Sequence, residues 1–260
     1  NYKIKRIEIS SGADPTNPDN WTVSTIAGTG TAGKDDGTGN VATFSEPFGV
    51  ALDRAGNVYV TEWSGNRVRR LQFKGGDPNS PTSWQVSLVA GDNSYTYGAS
   101  GDTDGTGNAA RFNYPRGITV DLAGNLYVAD SYNHRIRKIT NPLGASGGTV
   151  STFAGSTAGY ADGTGTSAKF YFPYGIAVDS AGYLYVADTS NRRIRQISPT
   201  GVVRTVAGTG AEGVVDGTGN QARFQGPLCI AVDTAGNLYV SDGVGSVVRI
   251  IQRVINTGNP

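Results

Sequence analysis

The sequence predicts an all-β protein, a β-propeller built from four-stranded antiparallel blades. Four segments repeat almost residue by residue, and each contains four short runs with strand character. No segment of ten or more residues shows helical periodicity, so we expect almost no helix. A four-stranded sheet repeated about every fifty residues is typical of a propeller. We expect about four to five blades in this chain, which could also form part of a larger ring.

One complete unit shows why each run is expected to be a strand. In the third copy, "GIAVD" is β-branched and apolar, "YLYVAD" alternates, "RRIRQI" alternates, and "VVRTVAG" closes the unit after a turn. In the second copy, Arg135, Arg137 and Lys138 flank Ile136 and Ile139, as the charged residues of an exposed outer strand would. One Phe precedes each first strand, and we expect these side chains in the core: Phe44, Phe112, Phe170 and Phe224.

The repeats organise the whole chain, which we expect to be a single domain over residues 1–260. The copies fall at about 1–28 (partial), 44–91, 112–155, 170–208 and 224–260 (partial). The chain opens with runs that match the third and fourth strands of a blade and ends with runs that match the first three. The unmatched strands could close a ring, belong to an arc of a larger ring, or pair with another copy of the chain.

Composition limits the classes of function. The 260 residues are 37% hydrophobic, and the net charge of +1 comes from 22 Lys and Arg against 21 Asp and Glu, which does not favour nucleic acid as a partner. Apolar runs are too short to cross a bilayer, so we expect no membrane span. The Gly-rich, weakly charged composition favours an extracellular or periplasmic location. The absence of Met is typical of a processed form or a piece of a longer protein.

The single cysteine and the single histidine restrict the chemistry. Cys229 excludes an internal disulfide, and we expect it to be a small buried residue because the other copies carry Gly there. His134 lies in a turn where the other copies carry Asn66, Arg192 and Ser246, so we interpret it as a tolerant surface position rather than a catalytic one. No histidine-based metal cluster can form, and we predict neither a metal nor a cofactor.

The motif "DGTGN" at 36–40, 104–108 and 216–220, with "DGTGT" at 162–166, raises the question of ion or phosphate binding. Asp102 and Asp104 resemble the start of a calcium loop, but no carboxylate follows to complete the ligands. A phosphate loop would need a following helix and a Lys. We therefore interpret the motif as a turn between blades, with a remaining chance of calcium only in the second copy.

Carboxylates also end the first two strands of every unit. Asp53, Asp121, Asp179 and Asp233 follow the first strand, and Glu62, Asp130, Asp188 and Asp242 follow the second. We assign both sets to structure, because a single functional site rarely needs four equivalent copies. Such carboxylates can accept backbone N–H bonds in a turn or pair with the Arg of the next strand.

The repeated pattern "PxGIxVDxxGNLYVADxxNxRIRKI" resembles the NHL repeat, and the resemblance extends over nearly the whole chain. It implies a propeller, usually of six blades, that serves mainly as a platform for binding protein, RNA or carbohydrate, although a few relatives are lyases or hydrolases. The amidating lyases among those relatives use a zinc ion bound by histidines, and a chain with one histidine cannot supply these ligands.

Function is best sought where the copies differ, since the shared residues are explained by the shared fold. The variable positions lie before the first strand and in the turn after the second, where exposed aromatic and Arg side chains favour partner binding. The candidate binding residues are Glu46, Phe48, Trp63, Tyr114, Arg116, Tyr132, Phe172 and Tyr174. Packing against neighbouring blades would explain the same residues equally well.

We therefore expect a non-catalytic, extracellular binding or structural module. Its partner would be a protein, which could be another copy of the chain, or a carbohydrate. The alternative is an enzyme, a lyase or hydrolase with its site at the mouth of the central channel, which would have to use the repeated carboxylates.

Overall fold

A computed structural model describes residues 1–252 as an all-β chain. Its helices are six 3-10 turns of three residues each: Pro18–Asn20, Pro81–Ser83, Gly107–Ala109, Ser131–Asn133, Gly165–Ser167 and Thr189–Asn191. The strands are β1 (Ile4–Ile9), β2 (Trp21–Ala27), β3 (Gly37–Thr38), β4 (Pro47–Leu52), β5 (Val58–Glu62), β6 (Arg67–Phe73), β7 (Trp84–Gly91), β8 (Gly105–Thr106), β9 (Pro115–Val120), β10 (Leu126–Asp130), β11 (Arg135–Thr140), β12 (Thr149–Gly155), β13 (Gly163–Thr164), β14 (Pro173–Val178), β15 (Leu184–Asp188), β16 (Arg193–Ile197), β17 (Val202–Ala207), β18 (Pro227–Val232), β19 (Leu238–Asp242) and β20 (Val247–Ile251). Within residues 1–252, no helix is long and apolar enough to span a bilayer.

The strands form antiparallel sheets in two compact units. Unit 1 comprises Asn1–Tyr114 and Pro142–Thr149 and contains the two-stranded sheet β1-β2 and the sheet β3-β7-β6-β5-β4. Unit 2 comprises Pro115–Asn141 and the chain from Val150 onward; it contains β12-β11-β10-β9, β13-β17-β16-β15-β14 and the three-stranded β18-β19-β20. The predicted β-propeller of antiparallel blades is confirmed, with four blades. Part of the last predicted repeat, residues 253–260, lies outside the described residues.

The predicted core phenylalanines are confirmed. Phe44, Phe112 and Phe170 have no exposed surface and Phe224 is 1% exposed. In unit 2, Phe170 packs with residues of two consecutive sheets, such as Ala129 and Ile136 from one and Leu184 from the next. Phe44 and Phe224 likewise pack between consecutive sheets of their own units, so these rings contribute to stability by burial between blades.

The first strands of consecutive blades approach closely in unit 2, and a glycine permits this. A Cβ atom at Gly117 would lie 2.5 Å from the carbonyl oxygen of Tyr174, and one at Gly175 would lie 2.5 Å from that of Leu228. The equivalent residue of β18 is Cys229. Its predicted burial is wrong, because Cys229 is exposed. The described part of unit 2 contains no further first strand beside β18, so a side chain is tolerated there.

The predicted exposure of the charged residues of the third strand is wrong for Arg137, which is buried, while Arg135 and Lys138 are half-buried. Arg69, Arg137 and Arg195 have no exposed surface, although each precedes or follows an apolar residue that is also buried. The register between the third and fourth strands shifts between Ile194 and Arg195, and between Val68 and Arg69. This β-bulge places two consecutive side chains toward the interior, which a strict period of two forbids.

In the first and third complete blades, the buried arginine binds two carboxylates, and we call this arrangement the arginine bridge. Arg195 donates to Asp188 at the end of the second strand (2.8 Å) and to Asp162 of the "DGT" motif (2.7 Å). Its guanidinium also donates to the carbonyl oxygens of Lys169 (3.0 Å) and Ala161 (2.8 Å) and lies 5.0 Å from the centre of the Phe170 ring. Arg69 repeats this with Glu62 and Asp36, each within 2.8 Å. The predicted pairing of second-strand carboxylates with arginine is confirmed.

The "DGTGN" motif is more than the predicted turn. Gly37–Thr38 and Gly163–Thr164 are two-residue strands that pair with the fourth strands β7 and β17 and add a fifth strand to the predicted four. The Asp that precedes each pair belongs to the arginine bridge. In the last copy, Gly217 and Thr218 are not in a strand.

Loss of the arginine bridge is expected to destabilise the protein strongly. Arg195→Ala would leave the buried Asp188 without its cation, so we expect the free energy of unfolding in urea to fall by about 3–5 kcal/mol. The control Arg223→Ala removes a guanidinium from an exposed residue, and we expect a change of about 0.5 kcal/mol or less. Equal effects of the two substitutions would contradict a structural role for the bridge.

The exposure of Cys229 is expected to make its thiol reactive in the folded protein. We expect a chromogenic disulfide reagent to label one thiol per chain at a rate close to that of the urea-unfolded chain, because access rather than unfolding limits the reaction. A thiol that reacts only after unfolding would show that Cys229 is covered.

Candidate binding surfaces

The eight candidate residues divide equally between the two units. Unit 1 contains Glu46, Phe48, Trp63 and Tyr114, and unit 2 contains Arg116, Tyr132, Phe172 and Tyr174. Each set is described below by itself.

Three of the four loops before a first strand share an unusual backbone conformation. Glu46, Tyr114 and Phe172 have φ angles of 51°, 49° and 50°, in the left-handed region that side chains other than Gly rarely adopt. Such a residue costs on the order of 1–3 kcal/mol and persists only where its surroundings fix it. At Glu46, the carbonyl oxygen accepts a hydrogen bond from the N–H of Trp63 (2.9 Å), which ties the loop to the turn after the second strand.

In unit 1, Trp63 and Tyr114 form an aromatic pair. Their ring centres lie 4.7 Å apart, and both side chains are half-buried. Asn66 fixes the backbone that carries Tyr114. Its Oδ1 accepts the N–H of Tyr114 (2.8 Å), and its Nδ2 donates to the carbonyl oxygen of Gly98 (2.7 Å). These two rings therefore pack on each other, as the packing interpretation expected, while each keeps part of its surface accessible.

Phe48 is the exposed apolar residue of this set. It is 53% exposed on β4, where Val50 and Leu52 on the same face are 58% and 63% exposed. A cavity of about 220 Å³ lies beside it, lined also by Lys3 and Ile4. Unit 1 thus offers an exposed apolar row, with the carboxylate of the exposed Glu46 at its start.

In unit 2, all four candidate residues come together with His134, and we call this group the aromatic cluster. The guanidinium carbon of Arg116 lies 3.4 Å from the centre of the Tyr174 ring and 5.9 Å from that of Tyr132. Tyr132 meets Phe172 edge to face with ring centres 4.8 Å apart, and Phe172 meets His134 at 4.8 Å in the same manner. Edge-to-face rings at this spacing attract each other, so the cluster is internally ordered.

Arg116 was predicted to be an exposed cation, but its side chain is buried. It is only 7% exposed, and desolvation lowers the pKa of its guanidinium to about 10. Arginine stacks well on aromatic faces, and its place between two tyrosines explains the burial. The surface of the cluster is instead provided by Tyr132, which is 41% exposed, with Tyr174 and Phe172 half-buried beside it.

His134 is not the tolerant surface residue that the sequence suggested. It adopts the left-handed conformation (φ 57°), and its Nδ1 accepts the N–H of Phe172 (3.2 Å). Burial, followed by the nearby Arg135 cation, lowers the pKa of the imidazole. The histidine is therefore a hydrogen-bond acceptor that positions the loop carrying Phe172.

Sequence reasoning missed this positioning role of the turn residue. Asn66 in unit 1 and His134 in unit 2 occupy the same place in the repeat, and each accepts an N–H from the loop before a first strand. Asn and His are among the residue types that tolerate the left-handed region, which was the available signal. Thr189 also links its turn to the next first strand, but as a donor, since its hydroxyl donates to the carbonyl oxygen of Pro227 (2.6 Å).

The repeated carboxylates that an enzyme would need are engaged in turns. Oδ1 of Asp121 accepts the N–H groups of Ala123 (2.9 Å) and Asn125 (2.8 Å), and its Oδ2 accepts the Asn125 amide (2.8 Å). Asp53 makes the same bonds. Its partial burial opposes ionisation, but the hydrogen bonds from Asn57, Tyr59 and Ala55 together outweigh burial and hold its pKa below the usual value. These carboxylates thus make the predicted hydrogen bonds to backbone N–H groups of their turns. In the described part of the chain, no three His, Cys, Asp or Glu side chains gather as a metal site.

Comparison with known proteins supports the resemblance of the repeats to the NHL repeat. The NHL repeat model matches residues 112–139 and 170–197. The chain is 32% identical over 165 residues to Protein SUPPRESSOR OF QUENCHING 1, chloroplastic, of Arabidopsis thaliana, covering 62% of this chain and 14% of that protein. It is 34% identical over 160 residues to NHL repeat-containing protein 2 of Bos taurus, covering 59% and 21%. An auxiliary nutrient binding protein from Bacteroides thetaiotaomicron shares the fold with a TM-score of 0.65 at 18% identity, covering 89% of this chain and 56% of that one.

The chain thus contains NHL repeats at residues 112–139 and 170–197, within a β-propeller of antiparallel blades. It spans less than a quarter of the length of either curated relative, at 14% and 21%.

The hydrogen bond to His134 is expected to make stability depend on pH. Because the folded state lowers the pKa of the imidazole, the unfolded state binds more protons near the usual value of 6.5, and the free energy of unfolding should fall as the pH drops through this range. A protonated Nδ1 also cannot accept the Phe172 N–H. His134→Asn, the residue of the first copy, should keep the acceptor and remove this part of the pH dependence in urea titrations. An unchanged slope in the variant would contradict the assignment.

Proposed function

We propose that this chain is a non-catalytic NHL-type propeller that acts as a binding module, with the aromatic cluster of unit 2 as its contact surface. The observation that carries the proposal is the ordered group of Tyr132, Phe172 and Tyr174 over the buried Arg116. Rings held by stacking and by the His134 hydrogen bond lose little conformational entropy on binding, which favours affinity.

A protein partner fits this surface best. Tyr and Arg are enriched among residues that dominate protein interfaces, and their effect is greatest where the rings are packed and partly shielded from water. The same rings could stack on a sugar, so a carbohydrate is the second candidate. The weakly charged composition, with 17% charged residues, favours an extracellular or periplasmic location as part of this proposal.

The competing proposal of a lyase or hydrolase has less support. Its best resource was the set of repeated carboxylates, and Asp121 and its equivalents already accept the N–H groups of their turns. An Asp121→Ala variant would therefore be expected to lose stability together with any activity, whereas an enzyme would lose turnover with its fold intact.

Truncation of the exposed rings is expected to weaken binding. The purified chain would be screened against arrays of immobilised extracellular proteins and of oligosaccharides, and the bound partner titrated by calorimetry. We expect Tyr132→Ala and Tyr174→Ala each to reduce affinity by about tenfold, the effect of a moderate interface hot spot.

Tyr97→Ala provides the matched control. Tyr97 is 60% exposed in unit 1, outside the aromatic cluster, and its removal should leave affinity unchanged. Protein hits and sugar hits distinguish the two candidate partners. Binding that is equally insensitive to all three substitutions would reject the cluster as the contact surface.

A further inference from the structure

A cavity of about 550 Å³ lies beside β7, the fourth strand of the first complete blade, and we call it the polar cavity. It is lined by Leu88 and Val89 of β7 and by polar residues of the connecting segments: Asp36, Asn93, Ser94, Asn108 and Ser146. All of these residues belong to unit 1. Small-ligand sites typically measure about 300–1,000 Å³, so the polar cavity is large enough to be one.

The segment that carries Asn93 and Ser94 is longer than its counterparts in the other copies. Between the Ala-Gly pair that ends a fourth strand and the next "DGT" motif, this copy has "DNSYTYGASGDT", where the others have "TGTAGKD", "STAGYA" and "TGAEGVV". The shared fold does not require the additional residues, since three connections between blades are made without them. A longer loop on a rigid scaffold is a typical place for a binding function.

A buried arginine holds this longer segment in a fixed conformation. Arg67 has no exposed surface, and its Nη1 donates to Oδ1 of Asn93 (2.6 Å), while its Nη2 donates to the main-chain carbonyl oxygens of residues 95 and 96. The equivalent Arg193 instead donates to the main-chain carbonyl oxygens of Asn191 and Thr209. The Asn93 amide is therefore oriented before a ligand binds, which lowers the entropic cost of binding at its Nδ2.

Main-chain contacts fix the segment that carries Ser146. The N–H of Gly107 donates to the carbonyl oxygen of Gly148 (3.0 Å), and the N–H of Gly148 donates to that of Val89 (2.9 Å). Gly107 has a φ angle of 57°, and a Cβ atom there would lie 2.2 Å from the carbonyl oxygen of Ser146. Because glycine permits this close contact, the part of the cavity around Ser146 and Asn108 is formed without a ligand.

The groups that are already engaged disfavour three classes of ligand. An extended peptide cannot add to β7 here, because the N–H of Leu88 donates to Asp36 (3.1 Å) and the carbonyl oxygen of Val89 accepts a main-chain N–H. A divalent cation would have few carboxylate ligands, since no three His, Cys, Asp or Glu side chains gather in the described part of the chain. An anion would meet the Asp36 carboxylate, and the described lining contains no Lys or Arg.

Neutral donors and acceptors in the cavity are available to a ligand. Within residues 1–252, Nδ2 of Asn93, the side-chain amide of Asn108 and the hydroxyl of Ser146 have no hydrogen-bond partner. Amides and hydroxyls both donate and accept, as sugar hydroxyls do. Asp36 adds an acceptor that Arg69 holds in place (2.6 Å), and Leu88 adds apolar surface for the C–H groups of a sugar ring.

We propose that the polar cavity binds a neutral saccharide. Nδ2 of Asn93 donates to one sugar hydroxyl, the Asp36 carboxylate accepts from another, and Asn108 and Ser146 bind further hydroxyls. The aromatic cluster belongs to unit 2, so this second site does not depend on the proposed function.

Calorimetric titration of the full chain with neutral trisaccharides tests the proposal. The probes are trisaccharides of glucose, mannose, galactose and N-acetylglucosamine, and we expect at least one of them to bind with one saccharide per chain. A trisaccharide of galacturonic acid should bind at least about tenfold more weakly than the neutral galactose trisaccharide, because its carboxylates meet Asp36.

Asn93→Asp removes the proposed donor with little change of shape. The new carboxylate still accepts from Arg67, so the segment should stay in place, but the saccharide loses a hydrogen bond and its affinity should fall by about tenfold. Asn40→Asp is the matched control. It adds the same charge in unit 1 outside the described lining, keeps the acceptor for the Thr38 hydroxyl, and should leave affinity unchanged. Urea unfolding of both variants would verify that they are folded.

Four results would overturn the proposal. A chain that binds none of the probes has no saccharide site of this kind, and tighter binding of the galacturonic acid trisaccharide would reject a neutral ligand. Equal loss of affinity in Asn93→Asp and Asn40→Asp would place the saccharide outside the polar cavity. Loss of saccharide binding in Tyr132→Ala, with Asn93→Asp unaffected, would make the carbohydrate a ligand of the aromatic cluster instead.

Discussion

The arginine bridge is the interaction on which each blade depends. In the third complete blade, Arg195 joins the end of the second strand through Asp188 and the "DGT" segment through Asp162. The same guanidinium holds the loop before Phe170 by the carbonyl oxygen of Lys169. One side chain thus fixes the sheet, the segment that leads into the next blade and the position of the core aromatic ring.

The bridge explains why a weakly charged chain buries charge. Burial raises the pKa of Asp188 in spite of the Arg195 cation beside it, which shows how unfavourable an ionised carboxylate is at this depth. An apolar replacement could match the stability, but it could not bind two segments in a fixed geometry. Hydrogen bonds to carboxylates and carbonyl oxygens have strict directions, so the bridge specifies the register between short strands that contain few apolar residues.

Most of the fold was predictable from the sequence, because the same strand and turn pattern recurs in every repeat. Spacing and turn residues were sufficient to predict antiparallel blades and the buried Phe44, Phe112, Phe170 and Phe224. The buried arginines were not predictable from alternation, because the β-bulge between Ile194 and Arg195 interrupts the period of two. Cys229 was misassigned for another reason. Its burial depends on what packs beside β18, and a comparison of copies assumes that every copy has the same neighbours.

The candidate surface was predictable in part. Differences between copies selected Tyr132, Phe172 and Tyr174, and these residues do meet in unit 2. The burial of Arg116 could not be read from its neighbours in sequence, because the two rings that cover it come from a turn and from another strand. His134 was interpreted as a tolerant surface position because the residue type varies between copies. Asn66 and His134 nevertheless share the left-handed backbone conformation, and each accepts a backbone N–H.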